Sequence, residues 1–199
     1  MSIERFIQRM PKVELHVHLE GSIQPETLLA LAERNHVTLP ARSVAELRNW
    51  YVFKDFSHFV EVYLTICDCV RTPADMELIT LDFLKGQARQ NIRYSELIFT
   101  PYSHREHISF EDQWTAIQKA HTWAKTNLGV TMNLAPDISR QIRPIEHSML
   151  VAEWAVKHKD DGIIALGLGG AEIGNPPELF QEAFDYAYTA GLAGAPHAG

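Results

Sequence analysis

Two periods of hydrophobic positions divide this chain. From Val13 to Ser22, apolar Val13, Leu15, Val17 and Leu19 alternate with polar Glu14, His16, His18 and Glu20. A period of two predicts a β-strand with one apolar face, so His16 and His18 project from the same side. Gly21 and Ser22 end it. Helical spacing then takes over. Residues 25–35 carry Leu28, Leu29, Leu31 and Ala32 on one face, with Pro25 at the first position. Residues 43–50 open with a capping box of Ser43 and Glu46. Residues 55–70 space Phe56, Phe59, Val60, Tyr63, Leu64 and Cys67 at helical intervals. A further helix starts at Thr72-Pro73, with Thr72 as its cap, and runs to about Asn91.

Beyond Asn91 the two periods alternate. Strands are predicted at 92–100, 130–137, 163–168 and 192–197, and helices at 109–128, 144–159 and 176–190, the last capped by Asn175. These strands start roughly every 30 to 38 residues, the repeat of a βα unit. No linker or compositional break appears, so residues 1–199 are read as one domain. The helices inserted between the first and second strands form a lid or pocket wall in this reading.

Five parallel strands fit a doubly wound sheet or part of a TIM-type (βα)8 barrel. The turn after the first strand, LEGSIQP, lacks the glycine fingerprint of a dinucleotide fold. The residues with chemical potential all fall at strand C-termini: His16 and His18, Asp137, Gly169-Gly170 with Glu172, and His197. Barrel enzymes place their sites there. The architecture expected is therefore the first five strands of such a barrel, since a complete one needs about 250 residues.

Composition narrows the partners. The 199 residues are 46% hydrophobic and 22% charged, as in ordinary globular proteins. Net charge is −7 and no basic run exists, which argues against nucleic acid. No stretch reads as a signal peptide or membrane span. Cys67 and Cys69, two apart on a helix, are expected to be reduced thiols and neither a disulfide nor a metal pair. A cytoplasmic location is the corresponding expectation.

The strongest chemical signal is His16-x-His18. Imidazoles two apart on one strand face can converge on zinc, iron, nickel or copper. Most other histidines (His36, His104, His107, His121, His147, His158) fall on predicted loops or helix surfaces and are expected to be solvated. His58 lies beside the aromatic residues of the insertion. Glu96 and Asp137 are read at strand ends, as partners of the site or simply hydrogen-bonded groups. Phe59 and Tyr63, four apart, read as core without further information.

Three segments, PKVELHVHLEGS at 11–22, LGLGGAE at 166–172 and PHAG at 196–199, resemble the adenosine deaminase family of zinc aminohydrolases in sequence, order and spacing. The resemblance spans essentially the whole chain. It implies a (βα)8 barrel with one zinc ion, held by His16, His18 and His197. It also implies that Gly170 contacts the purine through its backbone, that Glu20 lies near the ribose 5′-hydroxyl, and that Phe59 and Tyr63 cover the pocket; His18 borders the substrate too. The implied reaction is hydrolytic deamination of adenosine or 2′-deoxyadenosine: water activated by zinc attacks C6, a carboxylic acid protonates N1, and ammonia leaves. That acid is the Glu following His-Ala-Gly in the family motif, one position past Gly199. This chain is thus expected to be an inactive N-terminal fragment whose first and fifth strands expose edges prone to self-association. Two departures bear on substrate. Glu20 stands where animal-type members carry Asp, and Ala171 where they carry an acid. Adenine, aminofutalosine or an N6-modified adenine nucleotide are therefore alternatives to adenosine. A non-catalytic zinc-binding protein is the alternative outside the enzymes.

Overall fold

A computed structural model describes residues 2–197. Five parallel strands lie in sequence order: β1 (Lys12–His18), β2 (Ile92–Phe99), β3 (Thr131–Ser139), β4 (Ala165–Gly169) and β5 (Ala193–Pro196). They form an open half-barrel. Eight α-helices accompany them: α1 (Ile3–Arg9), α2 (Pro25–Arg34), α3 (Val44–Trp50), α4 (Phe56–Asp68), α5 (Pro73–Arg89), α6 (Phe110–Leu128), α7 (Ser148–Lys157) and α8 (Gln181–Thr189).

The central strands β2, β3 and β4 are largely buried, and the pleat sorts their side chains into two clusters. Leu97, Phe99, Met132, Leu134, Leu166 and Leu168 belong to the main core with Ile79, Phe83, Ile117 and Trp154 of the helices. Ile98, Ala135 and Ala165 form a smaller separate cluster, marking the inner face of the curl. All five C-terminal strand ends share one rim because every pairing is parallel.

The local signals explain most element boundaries. Ser43, Asp55 and Ser109 cap α3, α4 and α6 through their side chains, and Gly129 closes α6 in the left-handed region at φ 63°. Thr72 and Asp75 make a full capping box at the start of α5. The Asp75 carboxylate also takes hydrogen bonds from Arg34 (2.7 Å) and Asn35 (2.8 Å), tying α2 to α5.

Several expectations need correction. The first strand stops at His18, and Glu20–Ser22 is a 3-10 turn in which the Ser22 hydroxyl donates to the Leu19 carbonyl (2.7 Å). Its alternation is not strict: Leu15 and His16, between Glu14 and Val17, face the single residue Glu96 of β2, a bulge that shifts the register. Val13 and Leu15 are not core residues; both are more than half exposed. Asn175 caps no helix. A 3-10 turn (Pro177–Phe180) precedes α8, and the Asn175 carboxamide instead donates to the Ala171 and Ile173 carbonyls within its own loop. Helix α1, capped by Ser2, was not expected; Ile3, Phe6 and Ile7 fall at helical spacing on it, yet all three remain exposed. Glu96 sits mid-strand and accepts from the Tyr94 hydroxyl (3.0 Å).

Asp75 yields a stability prediction. Burial alone would push its carboxyl up, but the hydrogen bonds from Asn35, Thr72, Arg71 and Arg34 outweigh burial and hold it below the usual carboxylate range. The folded state therefore gains stability from Asp75 above the unfolded pKa of about 3.9, and loses it as pH falls through the lower folded value. Chemical denaturation should show Thr72→Ala losing about 1 kcal/mol and Asp75→Asn losing about 2 kcal/mol or more at pH 7. The gap between wild type and Asp75→Asn should shrink below about pH 4; a pH-independent gap contradicts the assignment.

Candidate metal centre

Three imidazoles meet at the rim. His16 and His18 come from the end of β1, and His197 follows β5. The His197 N–H donates to the Leu168 carbonyl (2.9 Å), which continues the β4–β5 pairing one step past the strand. Ring centroids lie 5.6 Å apart for His16–His18, 4.8 Å for His16–His197 and 5.1 Å for His18–His197. One ligand nitrogen from each lies within 4.8 Å of the others. His18 Nε2 and His197 Nε2 approach to 3.2 Å.

Such an approach tolerates one proton between the two rings at most. Burial holds His18 below its ordinary value, with the charge of Glu20 opposing and the other two histidines assisting. His197 is lowered by burial, then by His16 and Arg140. Both rings are therefore biased toward neutral imidazole, the metal-binding form. The buried His18 Nδ1 has no protein partner among the described residues. Three convergent imidazole nitrogens fit zinc, which favours such donors.

Beneath the rim lies a sealed polar layer. Glu20 is 0% exposed; its Oε1 accepts from the Thr100 N–H (3.0 Å) and from His104 Nε2 (3.2 Å). Burial alone would push Glu20 up, but His104 and the backbone donors outweigh it and leave the carboxyl below its usual range. The Thr100 hydroxyl donates to Asp137 Oδ1 (2.6 Å) and lies 3.2 Å from the Tyr63 hydroxyl. Burial, assisted by the charge of Glu20, raises Asp137 to about 7 against the opposing Thr100 bond. Glycines make room for this acid: a β-carbon on Gly167 would lie 2.9 Å from the Asp137 Cβ, and one on Gly169 2.5 Å from its Oδ2. A second potential ligand group, Glu20, Cys67 and His104, is wholly buried. Burial pushes the Cys67 thiol well above its ordinary value, so without a metal it is a neutral thiol. Cys69 is also buried and free.

The structure thus brings His16, His18 and His197 together. Tyr63 stands edge-on to His18 at 6.3 Å, and Phe59 lies 6.3 Å from Tyr63, inside an exposed aromatic group with Phe53 and Phe56. His58 packs against Trp50 and Phe53 of the same group. Gly170, at φ 103°, follows β4, and the Gln141 carboxamide fills the place of a β-carbon there. Glu20 is turned into the protein, against Thr100 and His104. His104 and His158 are buried, not solvated. His104 faces Glu20, while His158 packs on Trp114 at 4.6 Å and reaches Glu111. His121 and His147 are half-buried and hydrogen-bonded to Thr131 and Tyr102. Sequence reasoning missed Thr100, His104 and Arg140. The first two follow β2, and no spacing rule links them to Glu20. The end of the PHAG segment, Ala198-Gly199, lies outside the described residues.

A family model described as adenosine deaminase matches residues 11–199. An adenine deaminase of Vibrio parahaemolyticus is 36% identical over 195 residues, covering 98% of this chain and 57% of the relative. An aminodeoxyfutalosine deaminase of Streptomyces avermitilis is 37% identical over 204 residues, covering 99% and 56%. The crystal structure of an amidohydrolase from Burkholderia ambifaria with bound zinc matches with a TM-score of 0.86 at 26% identity, over 100% of this chain and 55% of that one. The chain spans a little over half the length of the curated relatives it matches.

The raised Asp137 carboxyl sets a pH dependence of opposite sign to that of Asp75. The folded state keeps this proton to about pH 7, whereas an unfolded Asp releases it near 3.9. Stability therefore falls as pH rises between those values, by on the order of 3–4 kcal/mol. Asp137→Asn removes that fall, so denaturation at pH 5 and pH 8 should show the variant gaining on wild type at the higher pH. A difference that is constant with pH would contradict the assignment.

Proposed function

The chain belongs to the adenosine deaminase family, and from that premise we propose that it serves the hydrolytic deamination of an aminopurine, with adenine as substrate. The observation that carries this reading is the convergence of His16, His18 and His197 at the rim. Zinc held there supplies Lewis acidity that makes water nucleophilic at neutral pH. The three histidines would bind and orient the ion. Tyr63, edge-on to His18, and Phe59, next to Tyr63, would form an apolar cover for a planar base. Water adds oxygen at C6 of the purine, the C6–N bond breaks, and ammonia leaves with the 6-oxopurine. Proton transfer to N1 is assigned to none of the described residues.

The sequence placed adenosine first, and that order is corrected here. The relatives above are named as deaminases of adenine and of aminodeoxyfutalosine. Aminodeoxyfutalosine is the second reading, favoured by the 37% identity to the Streptomyces avermitilis enzyme.

Ammonia release tests the reading. Zinc-loaded protein extended to the length of its relatives should release ammonia from adenine with a kcat/KM at least about 100-fold above that for adenosine. The 199-residue chain alone should release none. A preference for adenosine, or for aminodeoxyfutalosine, would replace adenine as the substrate. Turnover by the 199-residue chain would show that the proton donor lies within it.

A further inference from the structure

Arg140, just past β3, is a buried cation at the rim, with only 3% of its surface exposed. Burying a guanidinium is costly, and each hydrogen bond it makes offsets part of that cost; Nε has no partner among the described residues, so the two terminal nitrogens carry the bonding. Nη2 donates to the His197 carbonyl (3.0 Å) and lies 3.4 Å from Glu172 Oε1, and Nη1 donates to the Asn175 carbonyl (3.0 Å). The Arg140 backbone N–H donates to the Gly169 carbonyl (2.8 Å), so the residue is itself tied to the end of β4.

His197 needs such a brace. It follows a four-residue strand that is exposed along its length and lies at the sheet edge. Its backbone is held by two hydrogen bonds among the described residues, the N–H to Leu168 and the carbonyl from Arg140. The ring lies over Gly169, with Cδ2 3.5 Å from the place of a missing β-carbon, so no β4 side chain wedges it there. Its aim toward His16 and His18 is thus set through the backbone. The same guanidinium holds Asn175, whose side chain accepts from Arg143 (2.6 Å) and donates back to Ala171 and Ile173. One buried cation therefore links the third imidazole to the loop that begins at Gly170.

We propose that Arg140 is a positioning residue for the metal centre, holding the His197 carbonyl so that the third imidazole meets the other two. The proposal rests on the reading of His16, His18 and His197 as the metal site. Arg140 touches neither ion nor substrate; it acts through the ligand. Removing a group that orients a ligand costs roughly 10- to 100-fold in metal affinity.

The test is zinc affinity of the 199-residue chain by chelator competition, for wild type, Arg140→Met, Arg140→Lys and His197→Ala. The melting temperature of each metal-free protein is measured beside it. Arg140→Met should bind zinc about 10- to 100-fold more weakly than wild type. Arg140→Lys, which reaches one carbonyl but lacks the fork, should fall between them. The metal-free melting temperatures of Arg140→Lys and wild type should agree closely. Cobalt substituted for zinc should show an altered visible spectrum in Arg140→Met, reporting changed ligand geometry. Wild-type affinity in Arg140→Met overturns the proposal. So does an equal loss in both Arg140 variants that tracks a common drop in metal-free melting temperature, because that pattern marks a merely structural role. If wild type binds no zinc, or His197→Ala binds as tightly as wild type, the metal-site reading itself fails, and the proposal with it.

Discussion

The 3.2 Å approach of His18 to His197, across 179 residues of sequence, is the constraint on which the rest of the structure depends. Three strands separate β1 from β5. In a flat sheet the two would lie roughly 19 Å apart at the usual strand spacing. The rings can meet only because the sheet curls, and the curl decides what the inner face can hold. Small residues dominate the late strands: Gly167 and Gly169 on β4, and Ala193, Gly194 and Ala195 on β5. The space they leave at β4 is filled by the Asp137 carboxyl.

The polar layer under the rim follows from the same geometry. Groups inside a curled sheet lose water, so each must find a partner or give up its charge. Glu20 keeps its charge because Thr100 and His104 serve it. Asp137, with one hydroxyl donor and an acid nearby, gains a proton instead. Thr100 is the hinge of this arrangement, giving its backbone N–H to one acid and its hydroxyl to the other. Arg140 does for the far side of the rim what Thr100 does for the near side: it turns strand ends into a fixed frame.

Much of this was legible in the sequence. The βα repeat gave strand order and parallel pairing, because each connection has the length of a crossover helix. His16 and His18 stood out because a period of two survives inspection by eye, even though a bulge interrupts it in space. The capping residues were legible because they act within three or four positions. What failed was long-range or weakly patterned. Glu20 looked like the fourth polar member of the strand face, but the turn at 20–22 swings it inward to His104, 84 residues away. His104 and His158 were read as solvated because a histidine on a short turn carries no sign of burial. Substrate order rested on two positions, Glu20 and Ala171, that one sequence cannot rank; the relatives are named for adenine and aminodeoxyfutalosine.

The central claim is that three imidazoles at the rim, and not the buried group of Glu20, Cys67 and His104, hold the metal. X-ray absorption at the zinc edge of the zinc-loaded chain tests it most directly. Binding at the three imidazoles gives a nitrogen and oxygen shell at about 2.0–2.1 Å with imidazole scattering and no sulfur. A sulfur shell near 2.3 Å would place the ion on Cys67 and contradict it.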